Sequence, residues 1–301
     1  MADQAAVRVL ETDRVLPEVR EMLDVGRRPA AERYWEDPQV SSLVQAARDR
    51  FGDSVEAVVL YGSFTRGTKD TLLDLYILLR DFSPLPGWQA SLGKLLAPNV
   101  YQLKTEVSRA KVAVMTFDQL EKGVRSDVAP YFWARFAQPT TLVYQASEDV
   151  AERYAELVNS AAERLVAAAA INGAGMLPSQ EFWVQTFANT YATELRSERS
   201  SRYLSLYEAN AGYFDALHAA YAGLKHPPQT SWGIRKFAGK ALSVLRLCKS
   251  SLTFDDPVDY ALWKVQRHSG VTVTATERQR RYPLIFAWPL VWQLYRQGAL
   301  K

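Results

Sequence analysis

The chain has 301 residues, 48% of them apolar and 23% charged, and carries a net charge of +3. That is the composition of a globular protein, with enough chain for one large domain or two ordinary ones, and no repeat or low-complexity tract interrupts it. A single cysteine, Cys248, excludes a disulfide framework within the chain, and there is no run of about 18 apolar residues to cross a bilayer.

Residues 1–35 read as a helical arm rich in Glu and Arg, broken near Gly26 and Pro29. Residues 40–51 read as an amphipathic helix. Gly52-Asp53 then turns into Val55–Tyr61, whose branched and aromatic content predicts a strand. The apolar run Leu72–Leu79 predicts a second strand, ending at Arg80-Asp81 before the turn-forming Pro84 and Pro86. Lys111–Phe117 predicts a third, and Leu142–Tyr144 a short fourth. Beyond about residue 148 the pattern changes: 149–171, 181–222 and 236–252 carry helical periodicity, with Pro227-Pro228 between the last two. The expected organisation is an arm (1–35), an α/β domain (36–148) and a mainly helical domain with a basic, aromatic tail (149–301).

Charge is divided unevenly. From Lys225 to Lys301 there are 13 Lys and Arg against 4 Asp and Glu, a local net of +9, so the remainder carries −6. A basic C-terminal quarter suits an anionic partner, and a solvated basic face accounts for it equally.

The chemistry concentrates around Tyr61-Gly62-Ser63-Phe64-Thr65-Arg66-Gly67, directly after the first strand. Gly62 would let backbone amides approach phosphate oxygens, Ser63 would add a hydroxyl donor, and a helix starting nearby would add its dipole. Gly67 would permit the turn back. Asp74 lies 11 residues after Ser63, inside an otherwise apolar strand. A carboxylate there is costly unless it is paired or bound to a cation, and Mg²⁺ favours one or two carboxylates together with substrate phosphates. Arg66, inside the loop, could touch phosphate, although a loop Arg is usually exposed and neutral in effect. The three histidines, His218, His226 and His268, have no metal-ligand spacing, and His218, near Phe214 and Tyr221 on a helix, is expected to pack.

Tyr61-Gly62-Ser63 followed by Asp74 resembles the polymerase-β-like nucleotidyltransferase superfamily. The second motif acid is missing: its place falls on Leu72 or Tyr76. The departure resembles one branch, the mitochondrial-type phosphatidate cytidylyltransferases of the translocator-assembly-and-maintenance family. Leu72-Leu73-Asp74-Leu75-Tyr76, Trp88, Pro98-Asn99-Val100-Tyr101, Lys111–Val114, Ala134–Pro139, Asn159, Leu177-Pro178, Phe182 and Thr190–Arg196 follow that family's series in order, with Gln89 where the family has His and Glu194 where it has Asp. The resemblance covers about residues 56–208.

It implies an α+β fold: a nucleotidyltransferase α/β domain with a mixed sheet, then a helical domain. It implies transfer of a cytidylyl group from CTP to phosphatidate, giving CDP-diacylglycerol and pyrophosphate with Mg²⁺ as cofactor. Asp74 is the expected metal ligand, Glu194 and Lys111 share the catalytic site, and Gly62, Ser63, Arg135 and Arg196 bind nucleotide or phosphate. The helix turn after Glu194 brings Ser197 and Glu198, so no cation lies there to pair with it.

In the tail, Arg278-Gln279-Arg280-Arg281 precedes an apolar, aromatic run ending near Tyr295. It suits an anchor on an anionic membrane surface, and equally a C-terminal helix docked on the core with its Trp residues buried, as do Trp263 and Lys264 upstream. With no leader or transit pattern at the N-terminus, the expected location is peripheral, on the cytoplasmic face of a bacterial membrane. No nucleic-acid partner is expected. The other readings are a different acceptor (small molecule, tRNA or protein) and a nucleotide-binding relic without turnover.

Overall fold

The computed structural model describes residues 34–67, 72–195, 200–224, 226, 229–253, 258–259, 262, 265–266 and 270–297. The arm expected over 1–35 lies almost wholly outside the described residues, as do Arg196, Ser197, Glu198, Lys225, Pro227, Pro228, Trp263, Lys264 and His268.

The first helix, α1, spans Pro38–Phe51. Its capping is local: the Asp37 carboxylate accepts from the Gln39 amide at 2.8 Å, and Pro38 supplies a first-turn residue that needs no amide partner. Gly52 ends it at φ +58°, and Val40, Leu43, Val44, Ala47 and Phe51 form the stripe it buries.

Five strands make one sheet: β1 (Val55–Tyr61), β2 (Leu73–Leu79), β3 (Asn99–Lys104), β4 (Arg109–Thr116) and β5 (Thr141–Gln145), in the order β3-β4-β2-β1-β5. β2 and β4 are parallel and the other neighbours antiparallel, so the sheet is mixed. β3 is not among the expected strands. Asn99, Tyr101 and Leu103 turn inward while Val100, Gln102 and Lys104 alternate outward, and polar residues on both faces hide that alternation. The strand expected to reach Phe117 stops at Thr116, which caps the next helix in a reciprocal pair with Gln119.

The two sheet faces have different covers. Val58, Leu60, Leu75, Ile77, Val112 and Val114 pack with the stripe of α1. Ala57, Val59, Tyr76, Leu78, Ala113 and Met115 form a second cluster with helices α3 (Phe117–Val124), α4 (Trp133–Phe136), α5 (Glu148–Ala169), α6 (Ser179–Tyr191) and α8 (Ala211–Tyr221). The fold is therefore α+β, as expected, and one core runs from the sheet into the helical region. Residues 181–222 are not one helix: α6, α7 (Ser200–Glu208) and α8 divide them, and α2 (Gly87–Leu95) precedes β3. His218 packs its ring 4.9 Å from that of Phe182, as its surroundings in the sequence suggested.

Helix α9 (Trp232–Thr253) is tied to the sheet side by cations. Arg235 donates to the Asp127 carbonyl and Arg246 to the Ala97 carbonyl, each at 2.9 Å. Lys249 donates to the Leu96 carbonyl and to Asn99 Oδ1. Gly239 lies so close to the chain at Thr193 that a β-carbon there would sit 2.6 Å from the Thr193 carbonyl oxygen. Beyond residue 270 the described residues include the short helices α10 (Glu277–Arg281), α11 (Pro283–Phe286) and α12 (Trp288–Arg296).

Burial, reinforced by the neighbouring Arg246, pulls the Lys249 amine down to about 8. An unfolded lysine titrates near 10.4. Between these values the unfolded chain holds a proton that the folded chain has released, so stability rises with pH across that window and is flat below it. Urea unfolding from pH 8 to 10 is expected to show wild type gaining on the order of 2–3 kcal/mol relative to Lys249→Met. Parallel curves for the two proteins would contradict this.

Candidate active site

The site stands at the end of β1. Tyr61 is the last β1 residue and lies directly opposite Asp74 on β2. The chain then turns through Gly62 at φ +91°, where a β-carbon would lie 2.7 Å from Asp74 Oδ2. The glycine thus serves two ends: it adopts a backbone conformation that L residues avoid, and it leaves room for the carboxylate. The loop is closed by Thr65 Oγ1 donating to the Gly62 carbonyl at 2.9 Å and by Gly67 at φ +81°. Only a single 3-10 turn, Phe64–Arg66, follows Ser63 among the described residues, so the expected helix dipole is not supplied there.

Gly62, Ser63 and Asp74 line a cleft of about 240 Å³. The helical region closes it with Arg135 of α4, Tyr191 at the end of α6, Glu194 just beyond it, and Arg202 of α7. Among the described residues, the carboxylates lining it are Asp74 and Glu194. Of the expected residues, then, Gly62, Ser63, Asp74, Arg135 and Glu194 converge. Lys111 does not line the cleft; it neighbours Asp74 in register on the parallel strand β4. Trp88 is exposed on α2, and Gln89, Asn99 and Tyr101 bond to one another at the edge of the sheet. Gln89, Asn99 and Tyr101 thus hold one another, and none of these four lines the cleft.

Glu194 has a cation partner that local spacing does not reveal. Arg135, 59 residues earlier, donates to it at 2.9 Å, with each side chain about a quarter exposed (26% and 25%). Arg135 also lies 4.7 Å over the Tyr131 ring. Burial works against this guanidinium, but Tyr76, Glu194 and Tyr131 around it outweigh the penalty and fix it as a cation. Beneath it Tyr61 and Tyr76 stack at 4.6 Å. Burial and then the Asp74 carboxylate push the Tyr61 phenol up, so it stays protonated at any physiological pH.

Arg66 takes the first of its two expected places, in the loop's wall of the cleft and not out in solvent. It is half-buried in the cleft, where burial and then repulsion from Arg202 lower its pKa. Arg202 is a site residue that the sequence did not mark: it is one cation on an amphipathic helix. Two guanidiniums set against each other at a cleft wall make a local field that favours an anion.

No family model matches the chain, and no curated protein matches it. Among solved structures it is similar to a nucleotidyltransferase-like protein from Exiguobacterium sibiricum 255-15, at 12% identity and a TM-score of 0.28, over 85% of this chain and 92% of that one. A likeness of that size carries no argument about this chain.

Proposed function

We propose that the chain is a nucleotidyltransferase, and that it transfers a cytidylyl group from CTP to phosphatidate. The observation that carries the first part is the Gly62 turn seated on the Asp74 carboxylate, inside a cleft whose other walls bear Arg66, Arg135 and Arg202. A glycine turn, one strand carboxylate and converging guanidiniums are what a nucleoside triphosphate and a divalent cation need together.

The donor set fits Mg²⁺: Asp74 and Glu194 are hard oxygen donors, and an ion that keeps part of its coordination for phosphates needs no more than two carboxylates. When bound, Mg²⁺ supplies charge neutralisation on the triphosphate. The chain's own residues orient and hold. The Gly62-Ser63 turn receives the phosphates, and Arg66 and Arg202 offset the charge of the departing pyrophosphate. A phosphate oxygen of phosphatidate attacks the α-phosphorus; the new P–O bond forms as the bond to the β-phosphate's bridging oxygen breaks, and pyrophosphate leaves. The nucleophile is already an anion, so no residue has to remove a proton.

The acceptor rests on the resemblance and on the tail. Trp288, Trp292 and Tyr295 are exposed on α12 while Leu290 and Leu294 face inward, the reverse of a helix docked by its aromatic residues. A second reading, nucleotide binding without turnover, is favoured by the engagement of Glu194 with Arg135. Pyrophosphate release, followed with CTP, ATP, GTP or UTP, with and without phosphatidate vesicles and Mg²⁺, separates them. Release that needs CTP, phosphatidate and Mg²⁺ is expected. Release with a different acceptor would retain the class and discard phosphatidate. Binding without release from any pair would favour the second reading.

A further inference from the structure

Helix α9 is built inside out. Its buried positions are Arg235 (1% exposed), Gly239 and Lys249 (6%), whereas Phe237 (80%) and Leu247 (63%) face outward with Ile234, Val244 and Leu245. Residues 234, 237, 241, 244 and 248 recur every three or four positions and are apolar or cysteine, so the exposed side chains form one stripe. The inward cations are spent on the backbone carbonyls of Leu96, Ala97 and Asp127. A soluble helix packs the opposite way, and an apolar stripe of this kind marks a surface meant to be covered.

Charge and its surroundings identify the cover. The helix contains no Asp or Glu, and Lys236 and Lys240 flank the stripe. Helix α11 packs against α9, and Ile285 and Phe286 on it are exposed too. Exposed Arg278, Arg281 and Arg296 accompany the exposed Tyr282, Trp288, Trp292 and Tyr295. Against a second copy, a two-fold contact would set this acid-free face on itself, cation to cation. Against crossing a bilayer, no helix among the described residues is long and apolar enough. What remains complementary is an apolar phase bounded by negative charge.

We infer that the outer face of α9, continued by α11 and α12, lies on the surface of an anionic lipid bilayer, with Phe237 and Leu247 among the side chains set at the headgroup–acyl boundary and the Lys and Arg residues toward acidic headgroups. The inference shares a membrane with the proposed acceptor but stands on the polarity of α9, not on turnover.

Flotation of the full chain with phosphatidylcholine vesicles, with and without phosphatidylserine, tests it. Wild type is expected to float with the anionic vesicles alone. The double variant Phe237→Ser, Leu247→Ser is expected to lose about a hundredfold or more in partition, because each buried side chain contributes about a tenfold factor or more, while thermal unfolding stays unchanged because both positions are exposed. Failure of wild type to float, equal flotation with neutral vesicles, or a double variant that floats like wild type would each overturn it. So would a wild-type dimer in sedimentation that the double variant abolishes, since a second copy would then cover the stripe. Turnover is not read in this experiment: an inactive protein that floats removes the proposed reaction and leaves this inference in place.

Discussion

Asp74→Asn is expected to lower Mg²⁺-dependent nucleotidyl transfer by about a thousandfold or more while leaving the fold intact. The substitution keeps the size of the side chain and removes its charge. Asp74 is the carboxylate against which the Gly62 turn is seated, directly opposite Tyr61 in the sheet. An amide is a poor ligand for a hard divalent cation, and loss of one electrostatic contact to the transition state already costs about 10²–10³ in rate. Glu194, the other carboxylate lining the cleft, keeps one oxygen on Arg135 and does not make up for the charge lost at position 74. Initial rates with the competent nucleotide and acceptor, beside a thermal melt, give the answer. Rates near wild type for a folded Asp74→Asn protein would end the mechanism proposed above.

The second large effect is expected at Gly62. Gly62→Ala places an L residue at φ +91° and a β-carbon 2.7 Å from Asp74 Oδ2, so either the turn or the carboxylate must move. The backbone strain alone costs about 1–3 kcal/mol, and displacement of the metal ligand adds a loss of activity of about a hundredfold or more. Gly67 supplies the control. It too has a left-handed φ, +81°, but a β-carbon there meets nothing within 4 Å. Gly67→Ala is therefore expected to lose a similar amount of stability in urea unfolding and to keep most of its turnover. Equal activity losses at the two positions would show that the turn, not the space beside Asp74, is what matters.

How much of this was legible depended on range. β1 and β2 announced themselves because apolar residues fill both faces of a buried strand, and Gly62, Ser63 and Asp74 stood out at their ends; that the Gly62 turn is seated on the Asp74 carboxylate became visible only once the two strands were paired. β3 did not, since Asn99, Gln102 and Lys104 interrupt its apolar residues. The breaks between α6, α7 and α8 were hidden because no proline separates residues 192 and 210. The partner of Glu194 was invisible for a different reason: it comes from a helix 59 residues away, and only the tertiary fold brings them together. Arg66 and Arg202 illustrate the same limit with like charges. In α9 the period was readable and its polarity was not, because periodicity says which residues share a face and not which face is turned to the core.

Gly239 fastens two surfaces that would otherwise be independent. The chain at Thr193 fits against it only because position 239 has no side chain, and Glu194 of the cleft is the next residue. The helix carrying the outward apolar stripe and the segment carrying a cleft carboxylate therefore approach each other closely at this point. Any side chain at position 239 would therefore have to displace either the helix or the segment that ends in a cleft residue, which makes one glycine a condition of both surfaces.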